Sequence, residues 1–151
     1  MTTRALAWLV PFAYGLLLFL AGVAWLVTGA PFDKATYEQI AGESWQAMQA
    51  DSSPAVLQVL SAIVRMQGGN SALLAGIMVM AVAATGLRSG ERWAWYVCWI
   101  LPLHAVIDLA VAAALGGLRP TVLVWDVGLT VAVAASLMAC RPHAPRKLSQ
   151  A

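Results

Sequence analysis

Residues 5–28 form a run of 24 side chains without a charge, and apolar runs of comparable length recur at 70–87, 93–115 and 121–140. A helix crossing the hydrocarbon core of a bilayer needs roughly 20 apolar residues, so each run has about the length of a membrane span. Spanning strands would show short segments that alternate apolar and polar residues, and these continuous runs do not. The predicted fold class is an all-α membrane protein, a four-transmembrane-helix bundle forming one domain over 1–151.

Composition excludes the main alternatives, because 61% of the chain is hydrophobic and only 11% is charged. Soluble domains carry about 25% charged residues, so neither a water-soluble fold nor a disordered chain fits. A net charge of +2 is too small to imply a nucleic-acid partner. Cys98 and Cys140 lack a CxxC or His/Cys context, which argues against a disulfide scaffold or a zinc site. Both fall in apolar runs, where free cysteine packs as a small hydrophobe.

Arg4 ahead of the first run imitates a secretory signal, but the run is too long for a signal core and Pro31 disfavours cleavage. It is read as a span. Orientation follows from the basic residues of the short loops. Arg4, Arg88, Arg92, Arg141, Arg146 and Lys147 fall on one side, whereas the other has only Lys34 and Arg119. Both termini are expected in the cytoplasm, with the protein in the inner (plasma) membrane and the lipid bilayer as its first partner. Trp8, Trp93, Trp95 and Tyr96 mark the inner boundary, and Trp25 and Trp125 the outer one.

The outer segment 33–66 is expected to form a helical cap rather than a plain linker. Tyr37, Ile40, Ala41, Trp45 and Met48 fall on one face of a helix, with Glu38, Gln39, Glu43, Gln46 and Gln49 on the others. Thr36 and Gln39 have the spacing of a capping box. This predicts one amphipathic helix on the outer surface. Ser53-Pro54 supplies an N-cap and first helical position for the next helix. A rod from 54 to 87 would run about 50 Å, well over the core thickness of about 30 Å, so a break at Gly68-Gly69-Asn70-Ser71 is favoured.

Few charges remain for the membrane interior, where each is costly and marks a candidate site. His104 and Asp108 are one turn apart on one face of the third span. Pro102 should kink that helix and free the carbonyl of Cys98. Asp126 lies on the fourth span, and Arg65 reaches the outer half from the second. Arg65, His104, Asp108 and Asp126, with Gln58, Gln67 and Asn70, are therefore predicted to line a polar cavity open to the outside. The competing structural expectation is an ion pair between Arg65 and Asp108 or Asp126. Gly128, Ala132, Ser136 and Cys140 recur every fourth residue, roughly opposite Asp126, and offer a helix-packing or homo-oligomer face.

No metal site is expected, since His143 lies on the opposite side from the other donors, and the sequence indicates no particular cofactor. Three functions remain open. The leading one is a binding or accessory protein holding a lipophilic small molecule or a partner. The second is a membrane enzyme of isomerase or hydrolase type, with His104 and Asp108 or Asp126 as acid and base on a lipid, sterol or quinone-like substrate. The third is a structural subunit of a membrane complex.

The turn Leu87-Arg88-Ser89-Gly90-Glu91-Arg92-Trp93-Ala94-Trp95-Tyr96, preceded by Arg65-x-x-Gly68-Gly69 and a small-residue span, resembles small bacterial four-helix membrane proteins of the DoxX-like kind. The resemblance covers about residues 60–110. It implies a four-helix bundle and no catalytic residues.

Overall fold

A computed structural model describes residues 6–30, 34–115 and 120–141, except the side chains of Thr36, Tyr37, Thr121 and Val122. Its ordered elements are all helices: α1 (Leu9–Thr28), α2 (Lys34–Ala41), α3 (Trp45–Asp51), α4 (Pro54–Leu87), α5 (Arg92–Cys98), α6 (Ile100–Ala114) and α7 (Pro120–Ala139). The helices α1, α4 and the nearly continuous Arg92–Ala114 are long and apolar enough to cross a membrane, and α7 adds a shorter apolar stretch at Leu123–Ala139. Their length and composition suggest membrane insertion. Arg4, Asp33, Arg119, His143, Arg146 and Lys147 lie outside the described residues.

α1 and α4 run antiparallel in close contact, and glycine makes the approach possible. A Cβ placed on Gly22 would come within 2.7 Å of Leu73 Cα and 2.8 Å of Gly69 O, and one on Gly76 within 2.6 Å of Gly15 O. Gly15 and Gly22, like Gly69 and Gly76, are seven residues apart, so each pair lies on one helix face two turns apart. Small residues let backbones meet in a solvent that supplies no hydrophobic drive between helices.

That packing explains why the favoured break at Gly68-Gly69 does not occur. The chain remains helical from Pro54 to Leu87, passing through a π-helical turn at Val64–Gly69 where the Asn70 N–H donates to Arg65 O. Trp25 lies over Gly68 and Leu26 against Gly69, so α1 occupies the space the glycines leave. The start of α4 is as the sequence predicts, with Ser53 Oγ accepting from Val56 N at 3.4 Å.

The outer amphipathic helix is likewise revised, into two. α2 ends at Gly42, whose φ of 75° belongs to the left-handed region, and α3 restarts behind Ser44, whose Oγ accepts from Ala47 N at 3.1 Å. Glu38 Oε1 accepts from Trp45 N at 2.7 Å and so satisfies a donor at the new helix start. Trp45 is buried. The Thr36 half of the expected capping box lies outside the described side chains.

A one-residue interruption of the helix falls at Trp99, just ahead of Pro102. Helix α5 stops at Cys98, Trp99 N turns back to Tyr96 O at 3.2 Å, and α6 begins at Ile100. Below this kink, Ala83, Leu87, Ala94, Cys98, Leu101, Val133 and Leu137 form the buried core, with Trp8, Phe12, Tyr14, Trp95 and Trp99 packed around it. Trp95 Nε1 donates to Leu137 O at 2.7 Å and ties α5 to α7. Above the kink, α6 packs on α7, which also touches α1. The outward faces of α6 at Leu103, Val106, Ile107 and Val111 stay uncovered by protein.

The four-residue stripe on α7 does not form one face. An added Cβ on Gly128 meets nothing within 4 Å, and Ala132 is exposed. Ser136 is buried, with its Oγ donating to Val133 O at 2.7 Å. Each step of four residues advances about 40° around a helix, so the stripe winds from the outside of α7 to its packed side.

Candidate functional site

α6 is apolar over most of its length, which makes its one ion pair conspicuous. His104 Nδ1 lies 3.0 Å from Asp108 Oδ2, with 62% and 59% of the two side chains exposed. Helical spacing alone brings them together. Both project from the flank of α6 beyond the Pro102 kink, where protein does not cover them.

Asp126 is half-buried on α7, and its backbone carbonyl accepts from Thr130 Oγ1 at 2.6 Å. Tyr14 on α1 lies within electrostatic range of both Asp108 and Asp126. The contact shown directly is the one between His104 and Asp108 on α6, while Tyr14 packs against the buried core. Tyr14 was not anticipated, although its hydroxyl stands inside an uncharged run rather than at its edge, a place where interfacial anchoring does not explain a tyrosine.

Arg65 belongs elsewhere. It and Ser61 lie against Gly29, the left-handed residue that ends α1, where Gly29 N donates to Trp25 O at 2.9 Å. A guanidinium beside a helix C-terminus is favourably placed against the partial negative charge there. From Gly29 to Tyr14 is 15 residues of α1, or about 22 Å at 1.5 Å per residue. Arg65 makes no ion pair with Asp108 or Asp126 among the described residues, so the expected register-fixing pair is not formed. Gln58, Gln67 and Asn70 are exposed on α4.

The crossing at Gly29 can be tested directly. Gly29→Ala combines a positive φ of 62° with a Cβ that would meet Ser61 Oγ and stand 2.6 Å from Arg65 Nε. We expect a loss of about 1–2 kcal/mol, read as a lower unfolding midpoint in detergent, and smaller in Gly29→Asn because asparagine tolerates this conformation.

Beyond the end of α1, the helix α4 continues and presents Ala55, Val56, Val59, Leu60 and Ile63 along an open apolar groove of about 400 Å³. No group of three or more His, Cys, Asp or Glu is placed to hold a metal ion among the described residues. Cys98 is buried in the core and Cys140 is half-buried, both as free thiols.

Chemically, the pair on α6 can accept hydrogen bonds at the Asp108 carboxylate and exchange a proton at the imidazole. Asp108 engages one imidazole nitrogen and orients the ring, leaving Nε2 available for a second partner. No protein-family model matches the chain, and neither does any curated protein or solved structure.

Proposed function

We propose that the chain is a four-span membrane protein, with both termini in the cytoplasm and α2 and α3 capping the outer side, that binds a lipophilic molecule bearing a polar head. The observation that carries this reading is the His104–Asp108 pair, left uncovered by protein yet set in an apolar helix. Charged side chains at membrane depth are costly unless a partner, water or ligand meets them. A molecule with an apolar body would lie along the uncovered face of α6, and its hydrogen-bonding head would meet the imidazole and carboxylate. The DoxX-like resemblance supports the four-helix arrangement and supplies no ligand.

The ring nitrogen left free by the His104–Asp108 contact also favours a second reading, acid–base catalysis on such a molecule. In that case the imidazole would move a proton and Asp108 would hold the ring.

Native mass spectrometry of the purified full chain tests the binding reading. A retained non-lipid molecule, lost at least tenfold in His104→Ala and Asp108→Asn while both variants stay folded, is the expected result. Full retention in both variants would remove the site. A retained molecule that is converted by the wild type, but only held by His104→Gln, would move the assignment to the enzyme.

A further inference from the structure

The end of the molecule opposite Gly29 gathers positive charge. Arg88 closes α4 and Arg92 opens α5, and the turn between them is held by Gly90 N donating to Leu87 O at 3.1 Å and Glu91 N to Gly86 O at 2.9 Å. The Trp95–Leu137 hydrogen bond joins α5 to α7, with Arg92 one turn before Trp95 and Arg141 one turn beyond Leu137. Glu91 is the only acidic residue at this end among the described residues.

The arginines are also placed rather than free to sweep. Arg88 lies 5.6 Å over the Trp8 ring, which positions its guanidinium at the start of α1. The Trp93 ring lies against Gly86, next to the same turn. From Arg92 a ridge of exposed side chains climbs one face of the helix through Tyr96, Ile100 and Leu103. Arg92 and Tyr96 are one turn apart on α5, and Ile100 and Leu103 one turn apart on α6. Charge at the end, aromatic rings at the level of an interface and an apolar ridge beyond are complementary to an amphiphile with an anionic head.

We propose that the Arg88–Arg92 turn binds the phosphate of an anionic phospholipid, with Trp93 and Tyr96 beside its glycerol region and one acyl chain along Ile100 and Leu103. Guanidinium pairs with phosphate oxygens through charge-assisted, often bidentate, hydrogen bonds. The arginine turn lies at the start of α5, three helical turns before the His104–Asp108 pair, which continues the same line of side chains four and eight residues beyond Ile100.

The test uses the full chain in neutral detergent, given phosphatidylglycerol or phosphatidylcholine with identical acyl chains, with bound lipid counted by native mass spectrometry. Each arginine near a membrane surface is worth roughly fivefold in affinity for anionic lipid, so Arg88→Gln with Arg92→Gln should cost about 25-fold and bring the two lipids close to parity. Lys34→Gln, in α2, should leave the preference unchanged. Equal affinity in the wild type would overturn the proposal, as would a preference that survives the double variant. Displacement of the lipid by inorganic phosphate alone would overturn it too, by making the site one for a free anion. Should the double variant fail to fold, the wild type decides: the preference must shrink between about 0.01 M and about 1 M salt, over which the screening length falls roughly from 30 to 3 Å. A salt-independent preference would refute it.

Discussion

Gly22→Ala should be among the most damaging single-methyl changes in this chain. The added carbon has no room: Leu73 Cα would be 2.7 Å away and Gly69 O 2.8 Å, and both are backbone atoms that no rotamer change can move. α1 and α4 would have to separate along the whole crossing. Overpacking a tight interface costs about 1–3 kcal/mol and occasionally more, and here the loss extends to the contacts on either side. Gly76→Ala meets Gly15 O at 2.6 Å and should behave alike. Because the two share one interface, the double variant should lose less than the sum. Gly128→Ala is the control, since nothing lies within 4 Å and alanine is the better helix former. Unfolding midpoints from tryptophan fluorescence in detergent report all four. Equal midpoints for Gly22→Ala and Gly128→Ala would show that the α1–α4 crossing is looser than described.

Leu137→Ala should be comparably severe for a different reason. Leu137 is fully buried, at 0% exposure, among Val133, Cys98, Leu101 and Leu87, and its carbonyl receives the Trp95 indole. Truncation there leaves a cavity between α5 and α7, and such changes cost about 2–5 kcal/mol in well-packed cores. The neighbouring Met138 is exposed, so Met138→Ala should stay within about 0.5 kcal/mol of the parent. Trp95→Phe removes the hydrogen bond together with part of the ring that meets Tyr96 and Trp99, and should cost about 1–3 kcal/mol. Titration with a denaturing detergent ranks the three, and a Leu137 effect no larger than that of Met138 would refute the placement of the core.

The large effects fall where the sequence is least explicit, and the helices show why. α1, α4 and α7 are apolar around most of their circumference, so no amphipathic stripe marks which side meets a neighbour. The small-residue pattern on α7 is regular, yet it winds from exposed Gly128 to buried Ser136. The glycines that matter, Gly22 and Gly69, are seven residues from Gly15 and Gly76 respectively, a spacing that differs from the four-residue recurrence on α7. The same gap affects the candidate site. His104 and Asp108 were legible together because they share one helix turn, whereas the pairing of Arg65 with either aspartate depended on a register between helices that hydropathy does not specify.

By itself, the sequence determined the all-helical class, the membrane-length helices, the start of α4 at Ser53-Pro54 and the interruption near Pro102. Each rests on local chemistry: a backbone that must bond to itself in hydrocarbon, a hydroxyl within reach of a free N–H, and a ring without a donor. Only the tertiary structure decided that α4 runs through Gly68-Gly69, that Arg65 meets the end of α1, and that Tyr14 packs against the buried core. Those outcomes depend on how each helix is rotated and slid against its neighbours. Close packing sets both, and packing is a property of pairs of surfaces that no single segment carries.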